Sequence, residues 1–306
     1  MRHRELRATN LQRPMIPLER AGFLSPSKTD SDWNRQAEAV GFGPAGEAVA
    51  VWSSRTVEGR RLVTWHSEEA EPVRSAVLDG AIQATYVQPA ADGGVLLVAA
   101  RKPPAMPSNA QRWSAVGELV AEGDFGDAIL HVLATDSGDV WVGYFDEAHG
   151  STGPGAHGLV RFGPDLKPVW EYPWDPGLPS VFDCYTLNVV QQVAWTCPYT
   201  DFHLISIDAD AVLDRGKSPY QGASGLLIDG ERGALIGGYG PNYDLVVPFE
   251  LTPAGLVAKG RMGRVVMPDG LEVPGQGWCC RGGHARIHIN GTRYTLSLMS
   301  VFDALV

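Results

Sequence analysis

The densest group of reactive side chains in the chain is the segment DEAHGSTGPGAHG, residues 146–158. Two adjacent carboxylates, Asp146 and Glu147, stand beside His149, and His157 follows after a glycine-rich stretch. A carboxylate that fixes the tautomer of an imidazole turns it into a general base near neutral pH. Asp146, Glu147 and His149 are therefore the candidate catalytic residues of a hydrolase or lyase. The same three side chains could ligate a divalent metal, although no cofactor is required by the sequence. A solvated polar loop is the plainer account of the segment.

A second set offers recognition rather than acid–base chemistry. Asp183 lies in FDCYTLNV (182–189), Tyr199 and Asp201 in YTDF (199–202), and Tyr239 and Asp244 in GYGPNYD (238–244). Phenol rings stack on a ligand and donate one hydrogen bond each, while carboxylates set its charge. These five are the candidate ligand-binding residues. Other chemistry has no support: GxSxG, P-loop, HExxH and dinucleotide fingerprints are absent in proper context. His284 and His288 would face one side of a strand ~13 Å apart, too far to share an ion. Cys280 and His284 lack a CxxC partner. Cys184 and Cys197 are expected to pack as buried, reduced small hydrophobes in contact with each other.

The elements that must position these groups are legible from a repeat. Apolar alternating runs broken by a polar turn read AEAVGFGPAGEAVAVW (37–52), ATYVQPAADGGVLLVAA (84–100) and LHVLATDSGDVWVGYF (130–145). Looser copies read YTLNVVQQVAWTCPY (185–199), SGLLIDGERGALIGGY (224–239) and HARIHINGTRYTLSL (284–298). Spacings of roughly 40–47 residues are those of propeller blades. The first run of each copy alternates; the second is uniformly apolar, as for a strand covered on both faces. Two weaker outer strands follow in most copies. The sequence thus predicts an all-β, six-bladed β-propeller of four-stranded antiparallel blades, the last blade closed by the N-terminal segment RPMIPLERAGFL (13–24). Residues 1–306 would form a single domain, with 1–12 a loose tail. In that fold, turns between second and third strands share a face with the turns between blades. All eight candidate residues would then converge on one funnel.

The segments WVGYFDE (141–147), GLVRFGPDLKPVWEY (158–172), FDCYTLNV and WTCPYTDFHLISI (195–207) also resemble an uncharacterised bacterial family of predicted β-propeller proteins. That resemblance implies the fold and no activity. A looser analogy to propeller lyases such as streptogramin B lyase is one of fold, because no catalytic motif is shared.

Charge narrows the partners. A formal net charge of -10 argues against nucleic acid and against anionic membranes. No apolar stretch reaches the length of a bilayer span and no secretory leader is evident, so a cytoplasmic protein is expected. The partner would be a small molecule or a protein. The leading reading is a small-molecule-binding propeller working as a hydrolase or lyase. The alternative is a non-catalytic protein–protein interaction scaffold. A lectin fits least, because the loops differ from copy to copy.

Overall fold

The computed structural model describes residues 2–26, 31–67, 71–274 and 277–306. It opens with helix α1 (Arg2–Asn10) and strands β1 (Met15–Pro17) and β2 (Glu19–Phe23). Three meanders follow: β3 (Ala39–Phe42), β4 (Ala48–Ser53), β5 (Arg60–His66) and β6 (Pro72–Asp79); β7 (Tyr86–Pro89), β8 (Val95–Val98), β9 (Ala110–Trp113) and β10 (Leu119–Gly123); β11 (Ile129–Ala134), β12 (Val140–Tyr144), β13 (Leu159–Phe162) and β14 (Pro168–Glu171). The chain continues through β15 (Asn188–Val190), β16 (Val193–Thr196), β17 (His203–Asp208) and β18 (Ala211–Lys217). Next come β19 (Gly225–Asp229), β20 (Arg232–Ile236), β21 (Leu245–Thr252), β22 (Gly255–Ala258) and β23 (Gly263–Val266). It ends with β24 (Cys279–Arg281), β25 (His284–Ile289), β26 (Thr292–Ser297) and helix α2 (Leu298–Leu305).

Contacts divide the chain into two compact units. One holds Ala21–Trp174 with Asn290–Arg293; the other holds Met1–Arg20, Asp175–Ile289 and Tyr294–Val306. They are called here the three-sheet unit and the mixed-sheet unit.

In the three-sheet unit, each meander is a separate four-stranded antiparallel sheet. Its central strands carry the uniformly apolar runs. Along β8, Val95 and Leu97 enter one buried cluster with Val49, Val51, Val63 and Leu78, while Leu96 and Val98 enter another with Phe125, Val142 and Phe162. A strand covered on both faces has no polar side to alternate with, which is why VLLV lacks alternation. Each such side chain contributes about 1.5–3 kcal/mol by burial. Polar side chains tie one sheet to the next. Glu38 Oε1 accepts from the Ala84 amide at 2.7 Å and from Arg61 Nε at 2.9 Å. Gln88 Oε1 accepts from the Ala134 amide at 3.4 Å. Two sheets approach closely at Gly41, where a Cβ would stand 1.7 Å from the Val87 carbonyl oxygen.

The mixed-sheet unit holds β15–β18, β24, β25 and parts of β26 and β2, strands of an eight-stranded sheet of order β18-β17-β16-β15-β24-β25-β26-β2. Its two antiparallel halves meet at a single parallel bridge, Asn188 to Cys280. β19–β23 form a second sheet of order β1-β23-β21-β20-β19, with β22 paired to β21. The buried Asn188 amide donates to the Leu226 and Gly282 carbonyls at 2.7 and 2.9 Å and accepts from the Gly282 amide at 2.8 Å. One side chain thus fastens β15, β19 and the turn after β24.

Both short helices depart from the all-β expectation. Within residues 1–12, expected as a loose tail, Arg2–Asn10 form α1 and are tied down by side-chain bonds. Arg7 of α1 makes a two-point pair with Asp244, Nη1 to Oδ1 at 2.7 Å and Nη2 to Oδ2 at 2.8 Å. Asn10 donates to the Pro241 carbonyl at 3.0 Å. A nine-residue helix cannot sustain itself in water, so these anchors carry it. α2 is N-capped by Ser297, which accepts from the Ser300 amide at 3.0 Å. Leu298, Val301, Phe302 and Leu305 recur on one face and pack into the cluster of Ile16, Leu18, Val246 and Val265. No helix of the described residues is long and apolar enough to cross a membrane.

Candidate functional site

The eight candidates fall in both units: Asp146, Glu147 and His149 in the three-sheet unit, and Asp183, Tyr199, Asp201, Tyr239 and Asp244 in the mixed-sheet unit.

Asp146, Glu147 and His149 lie in the loop between β12 and β13, as the repeat predicted. A 3-10 turn over Asp146–Ala148 follows β12, closed by the His149 amide donating to the Asp146 carbonyl at 3.0 Å. All three side chains are exposed. The Glu147 carboxylate turns to Arg101, with Nη2 to Oε2 at 2.6 Å, and Arg101 lies over the Phe145 ring. The neighbouring carboxylates are occupied too: Asp124 takes Lys102 Nζ at 2.9 Å and Asp127 takes the Lys102 amide at 2.7 Å. The His149 ring instead faces Trp174, centroids 6.4 Å apart; His157 stands 5.6 Å from the same indole. His157 Nδ1 sits 2.9 Å from the Tyr172 carbonyl and Nε2 3.3 Å from Glu171. Trp174 is 68% exposed between these two imidazoles. Among the described residues, no three His, Cys, Asp or Glu side chains converge as a metal ion would need.

The mixed-sheet candidates separate into two kinds. Asp244 is fully buried and spent on structure: besides Arg7, it takes Arg264 Nε at 3.1 Å. Arg7 also reaches Glu272 at 2.7 Å and the Tyr243 hydroxyl at 3.0 Å, and Tyr243 donates to Glu272 at 2.6 Å. That hydrogen bond and the Arg7 charge lower the Glu272 pKa, Tyr243 contributing most. Asp244 is therefore the anchor of α1 rather than an open ligand contact.

The other four cluster. Asp183 and Tyr199 form an isolated antiparallel bridge, each backbone bonded to the other, which brings the segments before β15 and after β16 side by side. Tyr185 stacks on Tyr199 with centroids 5.7 Å apart and planes at 21°. Tyr239 meets Tyr185 edge-on at 6.0 Å, and its hydroxyl donates to that of Tyr185 at 3.1 Å. Phe202 closes the group against both Tyr185 and Tyr199, at 6.0 and 5.7 Å. Phe182 adds an edge to Tyr199 at 6.2 Å. Tyr199 and Tyr239 remain 37% and 50% exposed, and Asp201 is exposed in the turn between Tyr199 and Phe202. Burial, then the Tyr239 hydrogen bond, raises the Tyr185 pKa, with the Asp183 charge adding to it. Beside the cluster, burial raises the Tyr220 phenol to about 12.

The sequence reading missed Tyr185, Phe202 and Phe182. Their signal was available, since aromatic residues stand three apart at 182 and 185 and again at 199 and 202. It also missed Trp174, which lies outside every repeat copy. Cys184 and Cys197 are free and buried, and they flank the β15–β16 hairpin.

No family model and no curated protein matches the chain. Among solved structures it is similar to YCF48 bound to D1 peptide, at 10% identity over 88% of this chain and 79% of that one, with a TM-score of 0.50. It is also similar to virginiamycin B lyase from Staphylococcus aureus, at 11% identity over 92% and 98% of the two chains and a TM-score of 0.49. A gluconolactonase from Xanthomonas campestris aligns at 14% identity over 92% and 89%, with a TM-score of 0.48. These neighbours are β-propellers, and the first likeness is one of fold alone. The chain is mostly β, with several four-stranded antiparallel sheets, the building unit of that architecture.

Proposed function

We propose that this protein is a six-bladed β-propeller that binds a small organic molecule on the exposed faces of Tyr199 and Tyr239. The blades would be β3–β6, β7–β10, β11–β14, β15–β18, β19–β22, and β24–β26 closed by β2. Support for the closure comes from β2 lying next to β26, and for a single domain from both strands carrying residues of either unit. Four free cysteines suit a reducing, cytoplasmic setting.

One observation carries the binding reading. Five aromatic rings from three separate segments pack together, yet two of them keep much of their surface in water. Core packing alone would bury such rings; an open aromatic wall suits a stacking ligand. Asp183 and Asp201 beside the rings and the net charge of -10 favour a cationic one. A phenol serving as a base needs a depressed pKa, and Tyr185 shifts the other way. The cluster therefore suits recognition, and a hydrolase or lyase would draw its base from His149, with Asp146 and Glu147 beside it. A protein partner is the second reading. It is favoured by the exposed Trp174, a residue type that anchors interfaces.

Calorimetric titration with choline, against a neutral aromatic probe, tests the proposal. Choline should bind more tightly, and Tyr199→Ala and Tyr239→Ala should each weaken it about ten-fold, the loss of one cation–π contact. Unchanged affinity in both variants refutes the assignment. Loss in Trp174→Ala alone transfers the site to the three-sheet unit.

A further inference from the structure

A cleft in the three-sheet unit, on the side of the β7–β8 and β11–β12 turns, is unrelated to any candidate residue. Its volume is ≈ 140 Å³. Leu96, Ala134, Val140 and Leu166 give it an apolar wall, and Arg112 and Asp92 face it from one side. Cavities of about this size hold a ligand of roughly six to eight non-hydrogen atoms.

The charged pair is what makes the cleft selective. Arg112 on β9 stands directly across from Leu96 on β8. Its one ion pair is long, Nη1 to Asp92 Oδ2 at 3.7 Å, and its Nε is buried without an acceptor. Good guanidinium–carboxylate contacts close to about 2.7–2.9 Å. Asp92 cannot move in to satisfy it, because its Oδ1 already accepts the Gly94 amide at 3.0 Å within the turn. Cation and anion thus stand side by side in the cleft lining as a loose pair, without a close hydrogen bond between them. Arg161, Arg61 and Arg74 in the same unit sit over an aromatic face or bond a carboxylate or carbonyl. Among the described residues, Arg112 has the long pair with Asp92 in place of such a contact.

We propose that the cleft binds a small apolar α-amino acid as its zwitterion. Its carboxylate lies on the outer nitrogens of Arg112, its ammonium on Asp92 Oδ2, and its side chain against Leu96, Val140 and Leu166. A zwitterion carries its two charges on neighbouring groups, so it can lie alongside the loose Arg–Asp pair with each charge on its opposite. A simple carboxylate would meet Asp92 and a simple amine would meet Arg112.

Titration of the full chain with L-valine, isovalerate and isobutylamine, read by calorimetry, tests this. L-Valine should saturate the site, and each single-charge analogue should bind at least about ten-fold more weakly, one charge-assisted contact being lost. Arg112→Gln should lower valine affinity by at least the same factor. Ala91→Phe, at an exposed turn position lining the cleft, should abolish it while leaving the melting curve unchanged. Tyr239→Ala should leave it intact, which separates this site from the tyrosine cluster. No valine binding, equal binding of isovalerate, or full binding by Arg112→Gln overturns the proposal.

Discussion

The two units build their hairpins differently. In the three-sheet unit, five hairpins close with the same separation, pairing Phe42 with Ala48, Pro89 with Val95, Trp113 with Leu119, Ala134 with Val140 and Phe162 with Pro168. The same two turn hydrogen bonds recur in each, as in Thr135 N to Asp139 O at 2.8 Å and Gly138 N to Thr135 O at 3.1 Å. The fourth loop position is left-handed throughout: Gly46, Gly93, Gly117, Gly138 and, once, Leu166. In the mixed-sheet unit the loops are two residues long, pairing Val190 with Val193, Asp208 with Ala211, Asp229 with Arg232 and Thr252 with Gly255. There Gln191 and Ala209 take φ of 56° and 52°, a conformation glycine is made for. The three-sheet unit thus repeats one turn design, with glycine at the left-handed position in four of these five loops. The mixed-sheet unit uses shorter loops, two of them with a left-handed side chain, and carries buried polar fastenings at Asn188 and Asp244.

That contrast places the largest mutational effect in the mixed-sheet unit. Asp244→Ala removes the shared partner of Arg7 and Arg264, leaving a buried guanidinium uncompensated. A loss of about 3–5 kcal/mol is expected in denaturant unfolding, with hydrogen exchange in α1 rising to that of free chain. Arg7→Ala, at a partly buried position, should free α1 at smaller cost. If Asp244→Ala leaves α1 protected, Asn10 rather than the charge network holds the helix.

The turns give the next two effects, of opposite sign. Gly138→Ala puts a Cβ at φ 90° and 3.3 Å from Pro164 Cγ, and should destabilise by about 1–2 kcal/mol. Gln191→Gly relieves a left-handed side chain at an exposed turn and should stabilise by about 0.5–1 kcal/mol. Responses of opposite sign would show that these two turns differ in strain; a destabilised Gln191→Gly would remove the contrast.

Strand positions were legible because burial writes a period into the sequence. VLLV (95–98) and the turns DGG and DSGD announce a hairpin without reference to anything distant. The sheet assignment of the mixed-sheet unit was not legible, because the bridge of Asn188 to Cys280 joins residues with no local signal of each other. The candidate site divides in the same way. Loop membership of Asp146, Tyr199 and Tyr239 followed from the repeat. The fate of each carboxylate depended on partners far along the chain: Arg101 for Glu147 and Arg7 for Asp244. Charge alone cannot tell a ligand contact from an anchor. α1 was missed for that reason too, since its helix is held by tertiary bonds.

The smallest effects come from probes that the sequence itself distributes between the units. All four cysteines lie in the mixed-sheet unit, whereas seven of the nine tryptophans lie in the other. Burial lifts the Cys184, Cys197 and Cys280 thiols to about 12. At pH 8 only about one in ten thousand of each would be thiolate, so a thiol reagent should modify at most Cys279 in the native protein. An unfolded thiol titrates near 8.5. The folded pKa is the higher one, so these groups add stability that is complete below about pH 8.5 and falls as pH rises toward 12. Raising the pH from 8 to 10 should therefore lower the denaturant midpoint read by thiol labelling. If residues 1–306 unfold as one domain, the midpoint read by tryptophan fluorescence will shift with it. Should the thiol midpoint fall while the fluorescence midpoint stays, the two units unfold independently and the single-domain proposal fails.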